Sequence, residues 1–513
     1  MKKWLISLCM LAAAWGAAAQ DAAVRKIADM AVNDNRVMEH LDILCNRFGG
    51  RLIGSDAYDN AAEWTAHLLR KWGYEVELQE AGTVPVGFNR GPWFGRLLGE
   101  NGMELHFATP SYTSGTHGVE RGPVLIEPRT QEEFDRMKGA LKGAWVLIGG
   151  LNSGWAIDRS ARADARRQEI IERNAAIAAE NREIALRNRR DGTSEPLKKS
   201  ETEPALFYRQ MVEAGVLGFI QASEVPIRAL YDRTTVNDPE SCFDNLPTVP
   251  DIKLDKNQYE VIYRMAQERR YFLLEFDIRN HFRMGPVKYH NVVATKRGSK
   301  YPDQYVLVSG HLDAYDVATG GVDCGTGVSV TLEAARMIAE SGAAPKRTMV
   351  FCLFAGEEFG LLGAQAWVAA HTDELPRISN IFNRDGGPTP AVGITVPASL
   401  CDAYRKICLP VQELYPDYGF QVQALTPRKV PASFGGTDAT VFATRGVPAV
   451  SLREGDVKGY NFSYGEIWHT ERDTYTKSIP EYQRQAAAVT AIVSLGTANL
   501  DTVWPREEVY TAE

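Results

Sequence analysis

The chain has 513 residues, 44% of them hydrophobic and 24% charged, which is ordinary for a globular protein and long enough for two or three domains. A net charge of −8 argues against a dedicated nucleic-acid binder, which would carry a basic face. The cysteines are sparse and none sits in a close pair of zinc-finger type, so the fold does not depend on disulfide staples or on such a finger.

Lys2 and Lys3, the apolar run from Trp4 to Trp15, and Ala17-Ala18-Ala19 have the order of a secretory signal peptide over 1–19, cleaved before Gln20. Cys9 follows Leu8, which is too large for a lipoprotein anchor signal. No later apolar run reaches the ~20 residues of a membrane span. The expectation is an exported protein, periplasmic or secreted from a bacterium, with no transmembrane segment. Cys401 and Cys408 either pair or stay as buried thiols.

Val37, Leu41, Leu44 and Phe48 recur at helical spacing. A turn at Gly49–Ser55 follows, and Ser55 or Asp56 caps a second helix of about 57–72. That helix stops at Gly73, and Tyr74–Leu78 alternates like a strand. Between about 115 and 285 the texture changes. Gly122–Ile126, Gly143–Gly149, Val216–Ile220, Asp251–Leu254 and Tyr271–Phe276 are short strands, with a helix over Phe207–Ala214, and no His/Asp/Glu cluster stands out. This predicts a β-rich module inserted into a larger domain made of 20–114 and 286–513. Within it, 158–190 is a long charged helix without Gly or Pro, with Ile170, Ile177 and Ile184 seven apart. It is either a surface helix laid on its own domain or an arm for a homodimer or a substrate entrance.

From about 287 the order is strand 305–309, helix 327–340, strand 348–354, helix 360–371, strand 378–382, helix 400–415, strand 447–452 and helix 480–497. Such alternation predicts an α/β fold with a mostly parallel sheet flanked by helices. Reactive side chains then belong beyond the carboxyl ends of the strands. His311 follows the apolar run Val306–Val308, and Asp313, two residues on, can bond the ring nitrogen that a metal leaves free. Asp323 sits in a Gly-rich turn, where one carboxylate can bridge two ions. Glu357 and Glu358 follow another apolar strand; adjacent at a turn, one can ligate while the other takes a proton from water. Asp385 follows the strand Ile378–Phe382. His469 lies in a loop before the last helix, with Asp473 placed to orient it. Each is weak alone, and a pair of Glu at a helix start is also simply favourable with the helix dipole. The ordered set is a strong signal.

With these residues the chain resembles the co-catalytic zinc exopeptidases that include bacterial leucyl aminopeptidases, glutamate carboxypeptidase II and carboxypeptidase Q, and most of all the carboxypeptidase Q branch. The similar stretches are Ser309–Asp313, Pro345–Thr348, Glu357-Glu358, and Gly436-Thr437-Asp438 followed by Gly446-Val447-Pro448. The resemblance implies a zinc exopeptidase fold with a protease-associated-like insert. It also implies two zinc ions per chain, one held by His311 and Asp385, the other by Glu358 and His469, with Asp323 bridging. Glu357 is then the general base and acid, and Asp313 its supporting catalytic residue. The implied activity is hydrolysis of short peptides with a free terminus, as a dipeptidase, carboxypeptidase or aminopeptidase. A non-catalytic receptor-like protein and a glutaminyl cyclase are the alternatives on the same fold.

The chain departs from the family pattern in places. Cys324 follows Asp323 where relatives have Asn or Asp; it is read as a packed neighbour, with altered metal preference or oxidation sensitivity left open. Trp468 stands before His469 where some relatives have a Tyr or His, and Tyr460 or Tyr464 is the candidate to replace it at the substrate. Asp438 either positions a substrate amine or caps a helix, the capping reading being preferred.

Overall fold

The structure, a computed structural model, describes residues 21–99 and 102–511. The signal peptide expected over 1–19 lies outside the described residues. The chain divides into two compact units. The first holds residues up to Val84, Lys288–Trp468 and residues from Arg472 on; the second holds Pro85–Val287 with His469–Glu471. The second unit thus begins at Pro85 rather than at 115, because Trp93–Leu98 and Phe107–Ala108 are strands of its sheet.

The sheet of the first unit is built from β1 (Glu75–Val84), β2 (Val287–Lys296), β3 (Tyr301–His311), β4 (Arg347–Phe354) and β5 (Ile378–Asn383), in the order β1-β2-β4-β3-β5. β3 runs parallel to both β4 and β5, but β2 is antiparallel to β4, so the sheet is mixed rather than mostly parallel. The reason lies in the link 297–300 between β2 and β3. A parallel crossover needs a dozen or more residues, so these two strands run in opposite senses with β4 between them.

The helices are α1 (Asp56–Lys71), α2 (Gly325–Glu340), α3 (Leu362–Ala370), α4 (Cys401–Leu414) and α5 (Pro480–Ala498). Ser55 Oγ caps α1 by accepting the Tyr58 N–H at 3.0 Å. α2 is buried from Gly325 to Ile338, packed on β3 and α5, which is why it carries so few charges. The segment 447–452 is not a strand. It runs beside β5, where the Pro448 oxygen accepts the Ile381 N–H at 3.0 Å, but Pro448 has no N–H to return, and at Val450 the Asn380 side chain does the pairing: it donates to Val450 O at 2.9 Å and accepts from Val450 N at 3.0 Å. Only Arg453–Glu454 forms a strand there, in a separate three-stranded sheet with Ala391–Val396 and Gln421–Ala424.

In the second unit, Glu120–Ile126, Trp145–Asn152, Gly218–Ser223 and Asp251–Asp255 are parallel neighbours, and Leu273–Ile278 joins antiparallel. Trp145 meets Phe276 edge-on in its core, with ring centroids 4.8 Å apart. The long helix spans Ala161–Asp191, capped by Ser160 and ended by Gly192 in the left-handed region. It is not a bare solvated helix. Asn174, Asn181 and Asn188 each grip one residue of the returning chain by both its backbone groups. Asn174 holds Glu201 at 2.8 and 3.0 Å, Asn181 holds Lys198 at 2.7 and 2.9 Å, and Asn188 holds Glu195 at 2.8 Å in both bonds. Seven helical residues advance about 10.5 Å and three extended ones about 10 Å, so the two periods stay in step.

All six described cysteines are free, with Cys401 and Cys408 as buried thiols. Among the described residues no helix is long and apolar enough to cross a membrane.

Candidate metal centre

Three parallel strands end on one edge, and each delivers an acidic or imidazole side chain there. β3 ends in His311; β4 runs through Ala355-Gly356 into Glu357 and Glu358; β5 runs through Arg384 into Asp385. In the parallel register His311 lies opposite Phe354, and Ser309 opposite Asn383, which brings the three strand ends level.

His311 is 1% exposed. Its Nδ1 lies 2.9 Å from the backbone oxygen of Asp313, and its Nε2 lies 3.2 Å from both Asp323 Oδ1 and Asp385 Oδ1. An Nδ1–H donated to that carbonyl fixes the tautomer that leaves Nε2 for a metal. The Asp313 carboxylate acts elsewhere: its Oδ1 is 3.7 Å from the ring, while it accepts the backbone N–H of Glu357 at 3.1 Å and of Glu358 at 3.2 Å. It orients the histidine through its main chain and the glutamate pair through its side chain.

The Gly-rich turn carrying Asp323 is held by Asp473, which accepts the N–H of Val322 at 2.6 Å and of Asp323 at 3.3 Å. Thr474 approaches so closely that a Cβ on Gly321 would lie 2.1 Å from its carbonyl carbon. From the other side, Ser309 Oγ donates to Asn383 Oδ1 at 2.7 Å, and Asn383 Nδ2 donates to Thr437 Oγ1 at 2.6 Å; Thr437 in turn bonds Asp385.

Two sets of three ligand atoms lie within 4.8 Å of one another: His311, Asp323 and Glu358, and His311, Cys324 and Asp385. His469 is in neither set. It groups by contacts with the second unit, where Thr470 bridges Arg228, and its φ of 59° lies in the left-handed region.

Electrostatics argue for a cation. Burial, opposed by His311 and reinforced by Asp385, Asp438 and Asp313, pushes the Glu357 carboxyl up to about 9. Burial and then Asp323 drive Glu358 well above its usual range, and burial also raises Asp385. Burial works against a charged His311, yet Cys324, Asp385, Asp313 and Asp323 outweigh it and raise its pKa. The charges facing these carboxylates include one another and the His311 imidazole. Divalent ions bound among these N, O and S donors relieve that repulsion, so the residues present fit a dimetal site.

The remaining candidates separate. Tyr464 belongs with the cluster: burial and then Asp323 and Asp385 drive its phenol far up, and its ring lies 3.5 Å from where a Gly387 Cβ would stand. Tyr460 is tied away by a hydrogen bond to Glu481, with its ring edge-on to Tyr482 at 5.2 Å. Asp438 precedes the helix Ala439–Ala443 but makes no capping bond, which corrects the capping reading. Its side chain is fully buried, and neither oxygen has a hydrogen-bond partner among the described residues. Its charge is felt at Glu357, which is the placement of a group at the cluster rather than a cap.

Residues 291–493 match the model of peptidase family M28. Carboxypeptidase Q of Mus musculus is 30% identical over 317 residues, 59% of this chain and 63% of that one. A probable zinc metalloprotease of Pyrenophora teres f. teres is 42% identical over 108 residues, 20% of this chain and 23% of that one. The alignments thus span less than two thirds of these curated relatives. Among solved structures, a peptidase M28 precursor from Shewanella amazonensis covers 96% of this chain and 99% of its own, with a TM-score of 0.57 at 20% identity. BSAP, a zinc aminopeptidase from Bacillus subtilis, covers 93% and 97% with a TM-score of 0.52 at 15% identity. Those two likenesses show a shared fold, and the match to the M28 family model falls on the stretch that carries β2 to α5.

Proposed function

We propose that the protein is an exported dizinc exopeptidase that hydrolyses short peptides with a free terminus. The observation that carries this is the pair of ligand sets sharing His311, with Glu357 beside them at the same strand edge. His311 and Asp385 would hold one ion and Glu358 and His469 the other, with Asp323 shared by both; the place of His469 in this set rests on the family resemblance. When bound, two zinc ions supply Lewis acidity toward a peptide carbonyl and lower the pKa of water. Glu357 accepts a proton from the attacking water and returns it to the leaving amine. Asp313 keeps the backbone of Glu357 and Glu358 in register, so that the proton carrier and the ligand stay apart. Tyr464 donates a hydrogen bond to the developing oxyanion, and Asp438 attracts a substrate amine. The second unit is a protease-associated-like insert, and the order of residues 1–19 supports export. Carboxypeptidase Q among the sequence relatives supports reading the reaction as removal of a terminal residue.

The test is a panel of free dipeptides and tripeptides with either end blocked, with zinc counted on the same sample. Cleavage that requires one free end, two zinc ions per chain, and loss of activity in phenanthroline with recovery on adding Zn²⁺ are expected. Cyclisation of an N-terminal Gln peptide without cleavage, or no turnover by zinc-replete protein, overturns the reading.

A further inference from the structure

We propose that Cys324 is a metal ligand, and that the ion at His311 and Asp385 is held by a thiolate beside the imidazole and the carboxylate. This rests on the dimetal reading above and deepens it. Cys324 is fully buried, and its sulfur is one of the three atoms that, with a donor atom each from His311 and Asp385, lie within 4.8 Å of one another. Zinc bound at about 2.3 Å to sulfur and about 2.0 Å to nitrogen separates tetrahedral donors by about 3.5 Å, so small shifts of the side chains complete the set.

The local build favours sulfur at this place. Cys324 directly precedes α2, and its side chain takes no part in capping that helix. A Cβ on Gly327 would lie 2.4 Å from Sγ and 2.1 Å from the Arg384 oxygen, so the glycine keeps open the space the sulfur occupies. The thiol's hydrogen-bond acceptor is the Arg384 carbonyl, at 3.1 Å. S–H is a weak donor, and losing that bond on coordination costs little. The step balances without redox chemistry: the S–H bond breaks, its proton passes to solvent, and the metal–sulfur bond forms.

The consequence is an unequal pair of sites. With Cys324, the first ion would have one protein donor more than the set His311, Asp385 and Asp323. The site at Glu358 keeps an open position for substrate. Thiolate also favours zinc and cadmium over manganese and magnesium at the first site.

The experiment loads metal-free full-length protein with Co²⁺ in steps and reads the near-ultraviolet spectrum, beside zinc retained after dialysis. The wild type is expected to show sulfur-to-cobalt charge-transfer absorption with the first equivalent and to keep one zinc through dialysis. In Cys324→Ser the band is lost and the tighter site weakens at least tenfold. In Cys324→Asp metal binds without the band. Two cobalt ions bound by the wild type without the band, or a band surviving in Cys324→Ser, overturn the proposal and leave the dimetal reading standing. A wild type that binds neither cobalt nor zinc overturns both. The wild-type spectrum decides even if a variant fails to fold.

Discussion

The carboxylate of Asp473 accepts the backbone N–H of Asp323 at 3.3 Å, with the N–H of Val322 at 2.6 Å on its other oxygen. A residue far along the chain thereby sets the direction in which the bridging candidate presents its side chain. Asp473→Asn keeps the shape but leaves one acceptor for two donors. Zinc affinity is expected to fall about 10- to 100-fold, the usual effect of losing a group that orients a ligand. Competition against a chromogenic chelator measures it, and an unchanged affinity removes Asp473 from the site.

Glu357→Gln separates proton transfer from metal binding. The amide accepts no proton, so turnover is expected to fall about 10²- to 10⁴-fold. Zinc content should not change, because in the proposed roles Glu358, not Glu357, is a ligand. Steady-state rates and zinc content on the same preparation check both halves, and wild-type-like turnover would sink the assignment.

Metal binding should release protons. In the metal-free protein Glu357 titrates near 9, with Glu358 and Asp385 raised as well, so near neutral pH some of these carboxyls carry protons. A cation favours their charged forms, so binding expels those protons and zinc affinity rises with pH toward about 9. Calorimetry at pH 7 in buffers of different ionisation enthalpy is expected to show at least one proton released per chain. A binding enthalpy independent of buffer contradicts the electrostatics of the cluster.

The strand-end candidates were legible because each follows an apolar run, and parallel strands leave their carboxyl ends on one edge. His311, Glu357 and Asp385 need no long-range information beyond that. Sheet sense was less legible. β2 looks like any other buried strand, and only the shortness of the 297–300 link shows that it must oppose β3. The segment 447–452 has strand composition, yet beside the bond from the Ile381 N–H to the Pro448 oxygen it is the Asn380 side chain that pairs with Val450, which no local pattern announces. Asp438 has the composition of a cap and lies where a cap belongs, but its oxygens reach no helix N–H. The asparagines of the long helix stand seven apart and the residues they grip three apart, so the two periods of the clamp are both present in the sequence.

That asparagine ladder gives a local prediction. Asn181→Ala removes both bonds to Lys198 in the middle of the ladder, at 2.7 and 2.9 Å, without touching the core of the unit. At about 0.5–1.5 kcal/mol per bond, the returning chain loses order locally while the global unfolding midpoint hardly moves. Limited proteolysis is expected to cut faster between 192 and 203, and equal cutting in wild type and variant refutes the clamp.

The last prediction concerns a buried charge network behind the sheet. Glu333 is fully buried on α2; it accepts from Arg336 at 2.7 and 2.9 Å and from the N–H of Arg36 at 2.8 Å, and lies 3.1 Å from His40 Nε2. Burial alone would raise this carboxyl, but Arg336 and His40 outweigh it and hold it below its usual value of 4.5. A folded-state pKa below the unfolded one means that Glu333 contributes stability above the unfolded value, and that this contribution fades as pH falls through the folded value. Glu333→Gln removes the charge and leaves Arg336 buried against Asp34 at 3.0 Å and Glu340 at 2.9 Å. Breaking one side of a buried pair costs about 3–5 kcal/mol, and the remaining partners of Arg336 place the loss toward the lower end. The gap in urea midpoint between wild type and variant should therefore stay level from pH 8 down to about 5 and narrow below the unfolded value. A gap that is flat to pH 3, or that widens in acid, would show that the carboxylate is not held in its charged form by Arg336.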